Sequence, residues 1–283
     1  MLDCIIATCS SVPDLDPDDR LLLQALRARG FAVETGVWND PSVNWSAARL
    51  CLLRSTWDYP KRFEHFSRWL DATNRATLVR NPAWLVRWNS HKGYLRDLAR
   101  AGIPTVPTAW IQRGCRADLV SLLADRGWSE AIVKPALGAA GLNVLRVSPG
   151  SMEHAQTHLT SLLKDQDVML QPYLEAAPHP ELSLVFIAGT YSHAVSKKAF
   201  DTKLAIGDAA ARRVAPTERE RDVAARAIDA VPGGPPLYGR VDIFRSGNGA
   251  VFVNEVELIE PALYLGAHLP AAGRLADAIA REL

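Results

Sequence analysis

The sequence has little charge of either sign to spare. Its 32 Lys and Arg residues nearly cancel 31 Asp and Glu, leaving a formal net charge of +1. That balance removes the basic footprint of a nucleic-acid binder or of a protein held on an anionic membrane surface. No uninterrupted apolar stretch approaches the ~20 residues a membrane helix needs. The start, Met1-Leu2-Asp3-Cys4, lacks a basic segment ahead of an apolar one, so no signal peptide is expected. Cysteine is scarce. Cys4, Cys9, Cys51 and Cys115 have neither paired zinc spacing nor the density of a disulfide framework. The G-x-x-x-x-G-K-[ST] string of a Walker A loop is missing. Nothing resembles an activated Ser or Cys beside a base, so a covalent enzyme intermediate is not expected. There is no internal repeat and no low-complexity tract. What is present is 283 residues, 48% hydrophobic and 22% charged, enough to bury a core and to form two packed domains. A cytoplasmic protein without nucleic-acid or membrane partners is expected, with homo-oligomerisation left open.

The first third alternates strand and helix. Leu2–Thr8 is an apolar run, followed by an acidic turn at Asp14, Asp16, Asp18 and Asp19. Arg20–Arg29 has helical spacing and stops at Gly30, and strand candidates follow at 31–37 and 50–53. This βαβ order implies a small parallel sheet, assigned to an N-terminal α/β domain over residues 1–88. A helix is expected over 89–101, capped by Asn89 or Ser90 and closed by Gly102 with Pro104 beyond. From there strands dominate, at 131–134, 142–147, 168–170, 182–187, 191–196, 237–244 and 250–258. Helices are expected near 151–164, 217–230 and 271–283. The second domain is taken as 89–283, with a lid subdomain over about 103–172.

The sharpest local signal is Ser246-Gly247-Asn248-Gly249 between two β-rich runs, because Asn-Gly is a strong hairpin marker. With Asn248 and Gly249 as the turn, Asp242 falls opposite Glu255 and Arg240 opposite Glu257. Alternation puts those four on one face, with Val241, Ile243, Phe252, Val256 and Leu258 on a core face. Carboxylates on adjacent cross-strand positions repel one another. A hard divalent cation such as magnesium, bound together with phosphates, would relieve that repulsion. A solvated acidic face with Arg240 as its ion-pair partner accounts for the geometry equally well. Lys134 ends a strand at Val133-Lys134-Pro135, and Gly138-Ala139-Ala140-Gly141 follows. A small-residue loop frees backbone N–H groups to approach phosphate, and a lysine ahead of it adds positive charge. Alone, that loop fits any hairpin turn, and Lys92 alone is an ordinary surface lysine.

The order of these parts resembles the ATP-grasp fold from about Asn89 onward: Lys92, then Val133-Lys134-Pro135, then Gln171-Pro172-Tyr173-Leu174, then Arg240-Val241-Asp242 and Glu255-Val256-Glu257. The preceding βαβ segment looks like that superfamily's usual N-terminal domain. Arg54-Ser55-Thr56-Trp57-Asp58-Tyr59, Ser192-His193-Ala194-Val195-Ser196-Lys197 and Glu257-Leu258-Ile259-Glu260-Pro261 narrow the resemblance to the glutathione-synthetase-like branch that includes D-cycloserine-forming cyclo-ligases. The resemblance implies a mixed α/β fold, with a parallel N-terminal sheet and antiparallel ATP-binding sheets. It places ATP on Lys92, Lys134, Gly138, Gly141, Gln171, Tyr173, Leu174 and Glu181. Magnesium falls to Asp242, Glu255 and Glu257, and charge on the transferring phosphoryl to Arg240 and Lys197.

Two departures stand out. Glu257 occupies a metal position that is often Asn, and the Gly-rich, Arg-containing segment of related ligases is replaced by 200–208, leaving Lys203 or Arg212 to supply its charge. Arg54 and Asp58 stand where a strand meets a loop and could grip the carboxylate and ammonium of an amino acid. A surface arginine beside aromatic core residues fits as well. His193 could orient substrate or be structural. His154 and His158, with no third ligand nearby, read as solvated. The implied chemistry is ATP-dependent activation of a small amino-acid carboxylate as an acyl phosphate. O-ureido-D-serine is the branch's intramolecular example. The alternatives are amide-bond formation between two molecules, a small-molecule kinase and a nucleotide-binding module without turnover.

Overall fold

The apolar run Leu2–Thr8 becomes an inner strand, β1, because residues 4–8 are buried on both faces between helices. A computed structural model describes residues 1–138, 141–174, 181–197 and 211–283. β1 is followed by α1 (Pro17–Arg27), β2 (Val33–Val37), β3 (Ala48–Ser55), α2 (Phe63–Ala76) and β4 (Leu78–Arg80). Their sheet runs β2-β1-β3-β4 with every pair parallel. The acidic segment expected as a turn is one only through Asp14; from Asp16 onward it starts α1. Asp16 caps the helix by accepting the Asp18 N–H at 2.9 Å, Pro17 takes the first position, and Asp18 and Asp19 face the positive helix end.

The helix expected over 89–101 is two helices, α3 (Ala83–Ser90) and α4 (Tyr94–Arg100). Asn89 and Ser90 close the first rather than cap the second. Between them the Lys92 N–H turns outward to the Ala136 carbonyl at 2.7 Å, and His91 bridges to Leu137. A backbone donor spent on another segment cannot continue the helical ladder, so the chain breaks where the lysine must project. Gly102 in the left-handed region (φ +75°) ends α4 as expected.

Next come β5 (Ala109–Ile111), α5 (Leu119–Ala124), β6 (Ala131–Pro135), β7 (Leu145–Val147), α6 (Met152–Asp165) and β8 (Val168–Pro172). They form an antiparallel sheet, β5-β8-β6-β7, whose core includes Leu119, Leu123, Leu159 and Leu163 of the two helices. The remainder builds β9 (Glu181–Ile187), β10 (Thr190–Lys197), β11 (Arg212–Val214), α7 (Glu218–Asp229), β12 (Tyr238–Arg245), β13 (Val251–Glu257) and α8 (Pro270–Ala280). Its antiparallel sheet runs β11-β10-β9-β12-β13.

The closing helix returns to the first sheet. Leu275, Ala276 and Ile279 share a core with Ile6, Leu22 and Leu26, and with Val185 and Tyr238 of the central sheet. Asn81 adds a polar stitch, donating to the carbonyls of Tyr238 and Leu258 and accepting the Leu237 N–H. First and central sheets are thereby locked in one geometry. Among the described residues no helix is long and apolar enough to cross a membrane.

Candidate active site

The β12–β13 hairpin carries the charged cluster, and it reaches the expected pairing by a different route. The loop has three residues, 247–249, rather than two: the Ser246 N–H binds the Ala250 carbonyl at 2.9 Å, and Gly249 takes φ +80°. Arg245 therefore faces Val251, one step out of the expected register. A bulge at Asn254 restores it, so Asp242 lies opposite Glu255 and Arg240 opposite Glu257. The slip also corrects the core face. Val251 and Val253 are buried in it, and partly exposed Phe252, expected among them, lies on the opposite face.

The carboxylates and cations are already engaged with one another. Arg240 forks onto Asp242, Nε to Oδ1 at 2.9 Å and Nη2 to Oδ2 at 3.0 Å. It also reaches Glu257 at 2.5 Å and the Ala262 carbonyl at 3.1 Å. Ser183 of β9 donates to Asp242 at 2.6 Å. Glu255 lies between two lysines, 2.7 Å from Lys92 Nζ and 3.4 Å from Lys134 Nζ. Burial pushes the Glu255 carboxyl up, but the two lysines outweigh it and hold the group at about 2. Lys134 is shifted below the usual lysine range by burial and by Lys92, against the pull of Glu255. Asn254, exposed to the site by the bulge, links Lys134 Nζ (3.2 Å) to Glu181 (2.9 Å).

All the donors here are hard oxygens, which suits magnesium. Among the described residues no three His, Cys, Asp or Glu side chains are close enough together to ring a metal ion. That fits an ion held by one or two carboxylates plus phosphate oxygens rather than by a closed protein cage.

The segment after β13 is gripped by side chains from both sheets. Its carbonyls accept from Trp57 at Glu260, from Arg54 at Pro261, from Arg240 at Ala262 and from His193 at Tyr264. The Gly266 N–H donates to Asp18 at 2.7 Å. Glu260 itself is buried, and burial, with Glu257 adding, raises its carboxyl to about 8. Glu260, Asn254, Ser183 and Tyr264 received no role from the sequence. Asn254 in particular would sit on the core face in a hairpin of strict alternation.

Other expected residues are placed as follows. Gln171 ends its side chain on Thr108 Oγ1 at 2.9 Å and is buried. The Tyr173 N–H binds the Glu130 carbonyl, and its ring lies 3.7 Å from the Arg146 guanidinium carbon. Leu174 is the last described residue of its segment. A Cβ at Gly138 would crowd the Pro135 ring and Gly141 has φ +67°, while Ala139 and Ala140 lie outside the described residues. Lys197 pairs with Glu181 through the strand register; its side chain, like Lys203 and the rest of 200–208, lies outside them.

Arg54 and Asp58 are not brought together. Arg54 is 1% exposed, neither at the surface nor beside Asp58, and pairs with Asp19 at 2.8 Å. Asp58 accepts from the Trp38 indole at 2.7 Å and pairs with Arg62. The cause is the early start of α1, which delivers Asp19 beneath the end of β3.

Comparison with known proteins agrees with this architecture. A family model described as the N-terminal domain of D-cycloserine synthetase DcsG matches residues 4–81. The cycloserine biosynthesis protein DcsG of Streptomyces lavendulae is 34% identical, over 99% of this chain and 98% of its own length. The crystal structure of D-cycloserine synthetase DcsG superposes with a TM-score of 0.90 at 32% identity, covering 99% of both chains. The ATP-grasp ligase PsnB, solved with its minimal precursor, Mg and ADP, shares the fold at a TM-score of 0.67 and 18% identity, covering 100% of this chain and 99% of its own. The chain shares the fold of ATP-grasp ligases, and on full-length identity it belongs to the DcsG family.

Proposed function

We propose that this enzyme uses ATP to convert the carboxylate of a small amino acid into an acyl phosphate, on which a nitrogen of the same molecule then closes with release of phosphate. With O-ureido-D-serine, closure plus hydrolytic loss of the carbamoyl group as carbon dioxide and ammonia gives D-cycloserine. The observation that carries this reading is the meeting of Arg240, Asp242, Glu255, Lys92 and Lys134 on one face of the central hairpin. Lys92 and Lys134 would release Glu255 and bind the phosphates of ATP. Gln171, Tyr173 and Leu174 would frame the adenine and Glu181 the ribose. Magnesium, held by one or two of Asp242, Glu255 and Glu257 together with phosphate oxygens, would offset the charge of the polyphosphate. Arg240, fixed by Asp242 and Ala262, keeps its guanidinium where charge develops on the transferring phosphoryl. The relatedness to DcsG supports the cyclo-ligase choice of substrate.

Labelling tests the shared intermediate. Carboxyl-18O substrate should yield inorganic phosphate bearing one labelled oxygen per turnover, with ADP released in the absence of any second amine. Label remaining in the acid would mean simple ATP hydrolysis, and label in AMP an acyl-adenylate route. Strict dependence on an added amine would move the enzyme to the ligases that join two molecules.

The nucleotide assignment has its own test. Lys134→Ala should weaken ATP binding by about tenfold or more, the size of a lost charged hydrogen bond. Lys164→Ala, on the exposed side of α6, should leave it unchanged. Equal losses in a calorimetric titration would rule out Lys134 as a phosphate ligand.

A further inference from the structure

We infer that His193 is a positioning residue for Arg240: by donating to the Tyr264 carbonyl it holds Tyr264 in a left-handed conformation that places the tyrosine ring beside the arginine guanidinium. The inference rests on the reading of Arg240 as the group that meets the transferring phosphoryl.

The hydrogen bonds define the histidine's state. His193 lies in β10, 1% exposed, with Nε2 3.1 Å from the Tyr264 carbonyl and Nδ1 2.9 Å from Ser192 Oγ. A carbonyl only accepts, so the ring proton belongs on Nε2. Nδ1 then accepts the Ser192 hydroxyl proton, while Ser192 Oγ itself accepts from Arg274 Nη2 at 2.5 Å. Burial, with His268 and Arg274 nearby, lowers the imidazole to about 4, so the neutral ring is the working form. Both ring nitrogens are thereby committed to the protein, and neither is left to contact substrate.

What the histidine holds is a backbone that resists its own conformation. Tyr264 has φ +49° and ψ +43°, a region that disfavours residues with a Cβ and persists only where neighbours impose it. Its ring is 7% exposed, and its centroid lies 5.8 Å from the Arg240 guanidinium carbon. Two residues earlier the Ala262 carbonyl accepts from Arg240 Nη1. The 262–264 turn therefore touches Arg240 twice, by a carbonyl and by a ring. If Tyr264 relaxes to an ordinary conformation, both contacts move. Arg240 keeps its fork on Asp242 but loses its fixed aim.

The test compares His193→Ala with His193→Gln, whose carboxamide can place a donor where Nε2 stands. ADP release with O-ureido-D-serine is measured per ADP-binding site titrated by calorimetry. In His193→Ala, kcat should fall on the order of 10- to 100-fold, the cost of a misplaced catalytic group. KM for ATP should stay within about twofold. His193→Gln should recover most of kcat. Unchanged kcat in His193→Ala overturns the inference. So does a rise in KM for the amino acid alone, shared by both variants, because that would mean direct substrate contact. Should His193→Ala fail to fold, nitrogen-15 NMR of the wild-type imidazole decides instead: a neutral Nε2–H ring throughout pH 5–8 supports the assignment, and titration in that range or an Nδ1–H tautomer refutes it. Absence of ADP release from the wild type would count against the proposed reaction, while the tautomer measurement would still judge His193.

Discussion

Asp242→Asn and Glu255→Gln should each lower kcat by about 10²- to 10³-fold or more while leaving the fold intact. The two carboxylates face one another across the hairpin, and each balances a cation of the proposed site. Asn at 242 keeps the shape of the side chain but removes the charge under the Arg240 fork, and one of its two terminal atoms becomes a donor facing the guanidinium. Gln at 255 has a more specific signature. With Glu255 neutralised, Lys92 and Lys134 are no longer held by a carboxylate, so metal-free ATP should bind the variant at least as tightly as the wild type. The further tightening that magnesium gives the wild type should be lost. Calorimetry with and without the ion separates these effects, and circular dichroism checks the fold. Near-wild-type turnover in either variant at ordinary magnesium would remove the pair from the metal site. A parallel loss of metal-free ATP binding in Glu255→Gln would make Glu255 structural.

Much of this site was legible because its signals are local and redundant. Alternation along β12 and β13 put Arg240, Asp242, Glu255 and Glu257 on one face, and that pairing stands. It stands through two cancelling deviations, a three-residue loop and a bulge at Asn254, which alternation alone does not contain. Capping signals behaved likewise. Thr217 and Glu220 form a reciprocal capping box at the start of α7, where the sequence put the helix. Asn89, an equally good cap by type, spends its amide on Val256 and Leu258 instead. Nothing near it in sequence signals those partners. The same limit explains Arg54. Its apolar run placed it at a strand end, but its choice of Asp19 over Asp58 depends on where α1 begins, and on an acidic stretch that caps a helix where a turn was expected. Helix α2, absent from the sequence-based assignment, does carry a helical signal: Phe66, Leu70 and Thr73 are buried at i, i+4 and i+7. Short edge strands such as β5 and β11 carry too few residues for alternation to register.

Glu260→Gln should make the protein more stable at pH 8 by about 2 to 5 kcal/mol and leave it nearly unchanged near pH 4. Burial, helped by the neighbouring Glu257 and opposed by Arg240 and Arg54, raises the Glu260 carboxyl from 4.5 to about 8. An acid whose folded value is raised behaves oppositely to a salt-bridged one. Below about pH 4.5 both folded and unfolded chains carry the proton, and glutamic acid and glutamine are alike. As pH rises toward 8 the unfolded chain releases its proton and the folded chain retains it, so the wild type loses stability through that window, by up to roughly 1.4 kcal/mol per pH unit. Glutamine has no proton to lose and escapes the decline. Urea unfolding of both proteins across pH 4 to 8.5, in chelator so that no cation offsets Glu257, measures the difference directly. The gap between the two proteins should open with pH and level off above 8. A constant gap would mean that Gln acts through packing, and a gap closing with rising pH would mean that Glu260 is stabilised as a carboxylate by Arg54 or Arg240.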